Sequence, residues 1–162
     1  MPRFSLALGL VFAAFSFRDV AHAANAQANE ERQTMVMEFF AGSCLDTFPN
    51  HSGLGQVLSR KGFVQNAEDG TWKNEVFFVN PNVGTKGACL VGLSSTNPKG
   101  IAERLGQTLQ HHGAQNVKIT VRGRKTEASF VKDGIAAKVN VHPLSSGSHN
   151  QPVTLISIAK SN

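Results

Sequence analysis

The run VKITVRGRKTEASFVKDGIAAKVNV, Val117 to Val141, decides the fold class. Apolar and polar residues alternate in Lys118-Ile119-Thr120-Val121-Arg122 and again in Ala137-Lys138-Val139-Asn140-Val141. A period of two belongs to a strand with one buried and one wet face. Strands are therefore expected at Val117 to Val121, Thr126 to Val131 and Ile135 to Val141, with Lys132-Asp133-Gly134 as the turn between the last two. A fourth is expected at Val153 to Ala159, after the polar loop Leu144 to Gln151. Strands joined by such short links pair antiparallel, so the sheet is expected to be mostly antiparallel and the fold to be α+β.

Working back from this run, Asn97-Pro98 opens a helix, with Asn97 as N-cap and Pro98 at the first helical position. Ile101, Ala102, Leu105 and Leu109 form its apolar stripe and Gly113 ends it. Upstream, Lys86 to Ser95 reads as a strand. Asp69-Gly70 reads as the turn of a hairpin joining Phe63-Val64 to a strand from Trp72 to Val79. A short helix runs from a cap at Ser52 through Lys61, with Leu54, Val57 and Leu58 inward and Gly62 as its left-handed terminator. Gln33 to Phe48 reads as the first helix, its stripe made of Met35, Val36, Phe39, Phe40, Cys44 and Phe48, and Pro49 stops it. About three helices should pack on one face of the sheet. No internal sequence repeat is visible.

The N-terminus carries an address. Met1-Pro2-Arg3 is a short positive start, and Phe4 to Phe17 is a run of apolar and small residues. Ala21-His22-Ala23 presents small residues at the two positions a signal peptidase reads. Residues 1–23 are thus expected to be a cleaved signal peptide, 24–33 a flexible polar leader, and 34–162 a single α+β domain. The apolar run is too short to span a hydrocarbon core of roughly 30 Å, and no later segment is apolar enough. The expected location is periplasmic or secreted.

Export sets the reading of the two cysteines. Outside the reducing cytosol a lone thiol pair in a small domain forms a disulfide, so Cys44 and Cys89 are expected to join the first helix to the sheet. No CxxC or CxxxH spacing supports a metal site at either thiol. Phe40-x-x-x-Cys44 in an early helix, a second short helix ending Gly62-Phe63, and a later lone cysteine together resemble small exported envelope proteins of Gram-negative bacteria. That resemblance implies an envelope location and the disulfide, and it carries over no catalytic residue.

The chain of 162 residues has a formal charge of +5, and loss of Arg3, Arg18 and Asp19 with the signal lowers this by one. That is mildly basic and argues against a dedicated nucleic-acid binder. The cations concentrate in the opening run: Lys118, Arg122, Arg124, Lys125, Lys132 and Lys138 stand against Glu127 and Asp133. They are the candidates for binding an anionic envelope component or a protein partner. The same charges would also serve as a solvated edge that discourages strand addition. Phe130 is the only aromatic among them, too few for a single-strand nucleic-acid platform. Trp72 follows the Asp69-Gly70-Thr71 turn and is read either as core cover or as an exposed aromatic contact.

Motifs of catalysis are sparse. Ser129-Phe130-Val131-Lys132 matches S-x-x-K, but its serine lies in a strand pattern and the S-D-N and K-T-G elements are missing. No G-x-S-x-G elbow, Walker spacing or HExxH zinc pattern occurs. No cofactor is expected. His111, His112, His142 and His149 could converge on a metal only through the fold, since their spacing gives no such pattern. The expected function is a noncatalytic envelope binding or accessory protein. The alternatives are a small metal-dependent or hydrolytic enzyme using these histidines, and a structural or stress-related envelope component.

Overall fold

A computed structural model describes residues 17–75, 77–81, 88–94, 98–145 and 152–161. The chain order is α1 (Phe17–Phe40), a π-helical turn (Ala41–Leu45), α2 (Leu54–Arg60), β1 (Val64–Gln65), β2 (Trp72–Lys73), β3 (Phe77–Asn80), β4 (Cys89–Ser94), α3 (Pro98–His111), β5 (Gln115–Arg122), β6 (Lys125–Lys132), β7 (Ile135–Ser145) and β8 (Pro152–Lys160). The eight strands form one sheet in the order β1-β2-β3-β4-β8-β7-β6-β5, and every neighbouring pair is antiparallel. The protein is α+β, as the alternation predicts.

That order has a symmetry the sequence does not display. A first half (α1, α2, β1–β4) and a second half (α3, β5–β8) each place helix before a four-strand meander. The last strands of the two halves, β4 and β8, pair in the middle of the sheet. Exchanging the halves leaves the strand order unchanged.

All three helices lie on one face, here called the inner face. Val79, Cys89, Val91, Ala128, Phe130, Ala137, Val139, Val141, Ile156 and Ile158 project inward from the strands. They meet Val36, Phe40, Cys44 and Leu45 of the first helical segment, Leu54 and Leu58 of α2, and Ile101, Leu105 and Leu109 of α3 in one core. Apolar burial on this scale is the dominant stabilising term.

Local chemistry explains the helix ends. The π-helical turn closes with the Asp46 N–H donating to the Ala41 carbonyl at 2.9 Å, a five-residue step. After α2, Gly62 takes φ 77° while the Phe63 N–H donates to the Leu58 carbonyl and the Gly62 N–H to the Ser59 carbonyl. This is the left-handed terminator expected there. Gly113 repeats the device after α3, at φ 81°, with the Ala114 N–H on the Leu109 carbonyl.

Four sequence expectations need correction. Ser52 is not the cap of α2; Gly53, at φ 80°, holds that position, and the Ser52 N–H instead donates to Asn50 Oδ1. Trp72 to Val79 is not one strand. It folds back at Asn74, whose Oδ1 accepts the Phe77 N–H at 2.7 Å, so that Trp72 pairs with Val79 across a hairpin. Met35 is exposed, and Met37 takes its place in the buried stripe. Finally, α1 begins upstream of Gln33 and includes 24–33, so the stretch read as a flexible leader is helical. Gln33 is buried, and its amide fills the space beside Gly100 of α3, where a side chain at 100 would collide. The expected cleavage point after Ala23 falls within α1, and residues 1–16, Asn97, His149 and most of the loop Leu144 to Gln151 lie outside the described residues.

Candidate functional site

The disulfide expected between Cys44 and Cys89 is present, with the two Cα atoms 5.6 Å apart. Cys44 sits in the π-helical turn and Cys89 opens the central strand β4, both fully buried. The bond therefore clamps the first helical segment to the middle of the sheet. Buried in the core and bonded to each other, these sulfurs hold the fold, and neither is a free thiol.

The opposite, outer face of the sheet carries the candidate binding surface. Parity decides which cations reach it. On β6, Thr126, Ala128 and Phe130 are buried inward, so Lys125, Glu127 and Ser129 project outward. On β7, Ala137, Val139 and Val141 are inward, so Lys138, Asn140 and His142 project outward. Lys118, Thr120 and Arg122 of β5 pair with Ser129, Glu127 and Lys125, which puts them on the same face. One cleft of about 190 Å³ opens there, lined by Thr120, Arg122, Lys125, Glu127, Asn140 and His142. Arg122 and Lys125 are direct cross-strand partners, and His142 lies one register step beyond the Thr126–Val141 pair. Three nitrogen-bearing side chains from three adjacent strands thus form a row, with the hydrogen-bonding groups of Thr120, Glu127 and Asn140 in the next row.

The other sequence candidates divide. Arg124 lies in the β5–β6 turn beside Gly123, exposed and next to the row. Lys138 is on the outer face but leans toward Glu127, Nζ to Oε1 3.9 Å, with both groups half in solvent. Such a pair contributes little stability, and it partly neutralises both charges locally. Lys132 does not belong to the surface. It shares the inward parity of Phe130, its side chain is only 13% exposed, and its Nζ donates to the His112 carbonyl at 2.9 Å. It caps the C-terminus of α3, where the helix dipole favours a cation.

Trp72 is placed inward. It packs against the core, with its ring close above Gly55 of α2, and so serves as core cover at the hairpin end.

Among the described candidates, His142 does not converge with His111 and His112. His111 and His112 end α3 on the inner side, and His112 Nδ1 lies 2.7 Å from Asp46 Oδ1. His142 projects from the outer face, across the thickness of the sheet from them. In the expected set of His142 and His149 with His111 or His112, His142 is thus apart from His111 and His112, and His149 lies outside the described residues. Among the described residues, no group of three or more His, Cys, Asp and Glu is arranged to hold a metal ion.

Sequence reasoning missed Asn140 and Thr120 as cleft residues. Their signal is shared parity with Arg122 and His142, which becomes visible only when the strand register is known.

No helix among the described residues is long and apolar enough to cross a membrane. Comparisons with protein-family models, with curated proteins and with solved structures find no match for this chain.

Proposed function

We propose that this protein is an exported, noncatalytic binding protein of the cell envelope, and that its outer sheet face takes an anionic group in the cleft at Arg122, Lys125 and His142. The observation that carries the reading is the row of three cationic or protonatable side chains around one cleft, on the face that no described helix covers. Arg122 offers a forked donor suited to carboxylate or phosphate, and Lys125 adds a point charge beside it. Thr120 and Asn140 supply neutral hydrogen-bonding groups for the rest of the ligand. The disulfide is consistent with a compartment outside the cytoplasm. The signal-peptide pattern and the resemblance to envelope proteins point the same way.

Glucuronate is a suitable probe, because it joins one carboxylate to several hydroxyls. Titrated at low ionic strength and followed by amide chemical shifts, it should perturb the β5–β7 residues that line the cleft. Arg122→Glu with Lys125→Glu should abolish the response. Lys73→Glu, on an exposed cation of β2 at the far end of the same sheet, should leave it intact. An unchanged response in the double variant contradicts the reading.

A further inference from the structure

β5 stands last in the sheet order and, among the described residues, pairs only with β6, so one whole row of its backbone N–H and C=O groups has no described strand against it. The opposite edge, β1, has only two residues, whereas β5 has eight, and all of these but Val117 are exposed. Its two faces differ in chemistry. Lys118 and Arg122 flank Thr120 on the outer face. On the inner face Ile119 stays 40% exposed although its Cδ1 lies against Gly106 of α3, and Val121 is 60% exposed. These are two of the four large apolar side chains that the described residues leave in solvent. Left-handed Asn116, at φ 55°, bulges the strand between Gln115 and Lys118, so the straight run available for pairing is Lys118 to Arg122.

The charge pattern selects the occupant. A second copy pairing edge to edge would bring Lys118 and Arg122 beside the same cations of its neighbour, and like charges on neighbouring strands destabilise a pair. An extended segment that alternates acidic and apolar residues satisfies both faces at once. Its carboxylates would lie against Lys118 and Arg122, its apolar side chains would cover Ile119 and Val121, and its backbone would complete the open ladder.

We infer that β5 is a strand-addition site for an extended acidic–apolar polypeptide segment of a partner protein, held through Lys118 and Arg122 on one face and Ile119 and Val121 on the other. The inference extends beyond the anion cleft. It uses the edge of the sheet, where the cleft uses its face, and it stands if glucuronate does not bind.

The test is a synthetic peptide of alternating glutamate and valine, matched in length to β5, added to the full chain. Binding is followed by fluorescence anisotropy, and its location by hydrogen exchange. The peptide should slow exchange at open-edge amides within 118–122 and leave β1 unaffected. A peptide of the same composition with its glutamates in one block should bind more weakly. Lys118→Glu with Arg122→Glu should weaken the alternating peptide by about tenfold or more, as two attractive cross-strand pairs become repulsive. Ile119→Lys with Val121→Lys adds charge that attracts the peptide but removes the apolar contact, and it too should weaken binding. Equal affinity for the block peptide, an unchanged or tighter complex with the lysine variant, or protection outside β5 each overturns the inference. Protection of β5 amides on concentrating the chain alone, with dimer formation, would overturn it in favour of self-association.

Discussion

The two halves of the molecule share a topology and differ in how they are held. Strands β1 to β4 have two, two, four and six residues, whereas β5 to β8 have eight, eight, eleven and nine. Short strands make few ladder hydrogen bonds, and an isolated short hairpin is marginal in water. The first half compensates with aromatic rings and a covalent bond. Phe39 stacks between Phe63 and Phe77, with centroids 5.2 and 4.6 Å away, and Cys44–Cys89 ties the same helical segment to β4. The second half has neither device. On β6 and β7, buried Ala128, Phe130, Ala137, Val139 and Val141 alternate with outward Lys125, Glu127, Lys138, Asn140 and His142, which makes this half the carrier of the exposed cations. Two copies of one topology have thus divided their work, one anchoring the sheet and the other presenting it.

Breaking the covalent device should give the largest effect. Replacing Cys44 and Cys89 together by serine removes a cross-link closing a loop of 45 residues, worth about 4 kcal/mol in the chain-entropy model. Urea unfolding should show that loss, and hydrogen exchange should rise more in β1–β4 than in β5–β7. Equal rises in both halves would erase the contrast drawn above. A smaller effect is expected where the halves meet. Gly92 of β4 lies under the Phe78 ring, which occupies the space a Cβ would need. Gly92→Ala should cost about 1–3 kcal/mol by overpacking. The cost should shrink in a Phe78→Ala background, a coupling that a double-mutant cycle measures. The His112–Asp46 hydrogen bond joins the end of α3 to the turn after Cys44. His112→Ala should cost about 1 kcal/mol in urea unfolding, since Asp46 keeps access to water when its partner goes.

The smallest effect lies at the hairpin loop of the first half. The Thr71 backbone N–H, 2.9 Å from Asp69 Oδ1, and the Thr71 side chain hold the Asp69 carboxyl below its ordinary value of 3.8. A carboxyl so lowered stabilises the fold above that ordinary value, and the contribution fades as pH falls through the folded one. Asp69→Asn should therefore make stability slightly less dependent on pH below about 4 and leave the second half unchanged. Thermal melts across that range check it.

Legibility in the sequence follows the same division. The alternation of β5, β6 and β7 could be read from the sequence, and parity within β6 separates Lys132 from Lys125, while placing Lys118 and Arg122 beside Lys125 needs the register of β5 on β6. The first half hid its hairpin. Asn74-Glu75 carries no glycine or proline, so Trp72 to Val79 reads as one strand until the Asn74 side chain is seen closing the turn. The upstream start of α1 was hidden by its polar composition. What packs it is a dent at Gly100 on another helix, and no local pattern reports that. The pairing of β4 with β8 joins segments far apart in the chain, and it is this pairing that sets the order of the sheet. The cleft was half visible for the same reason: its cations lie in one run of sequence, while Asn140 and His142 enter only through the register of β7 on β6.

The most direct test of the account counts thiols. Protein purified without reductant from an oxidising compartment, denatured and treated with an alkylating reagent, should show neither Cys44 nor Cys89 modified by mass spectrometry, and both modified after reduction. Alkylation of both residues before reduction would contradict the covalent clamp on which the contrast between the halves rests.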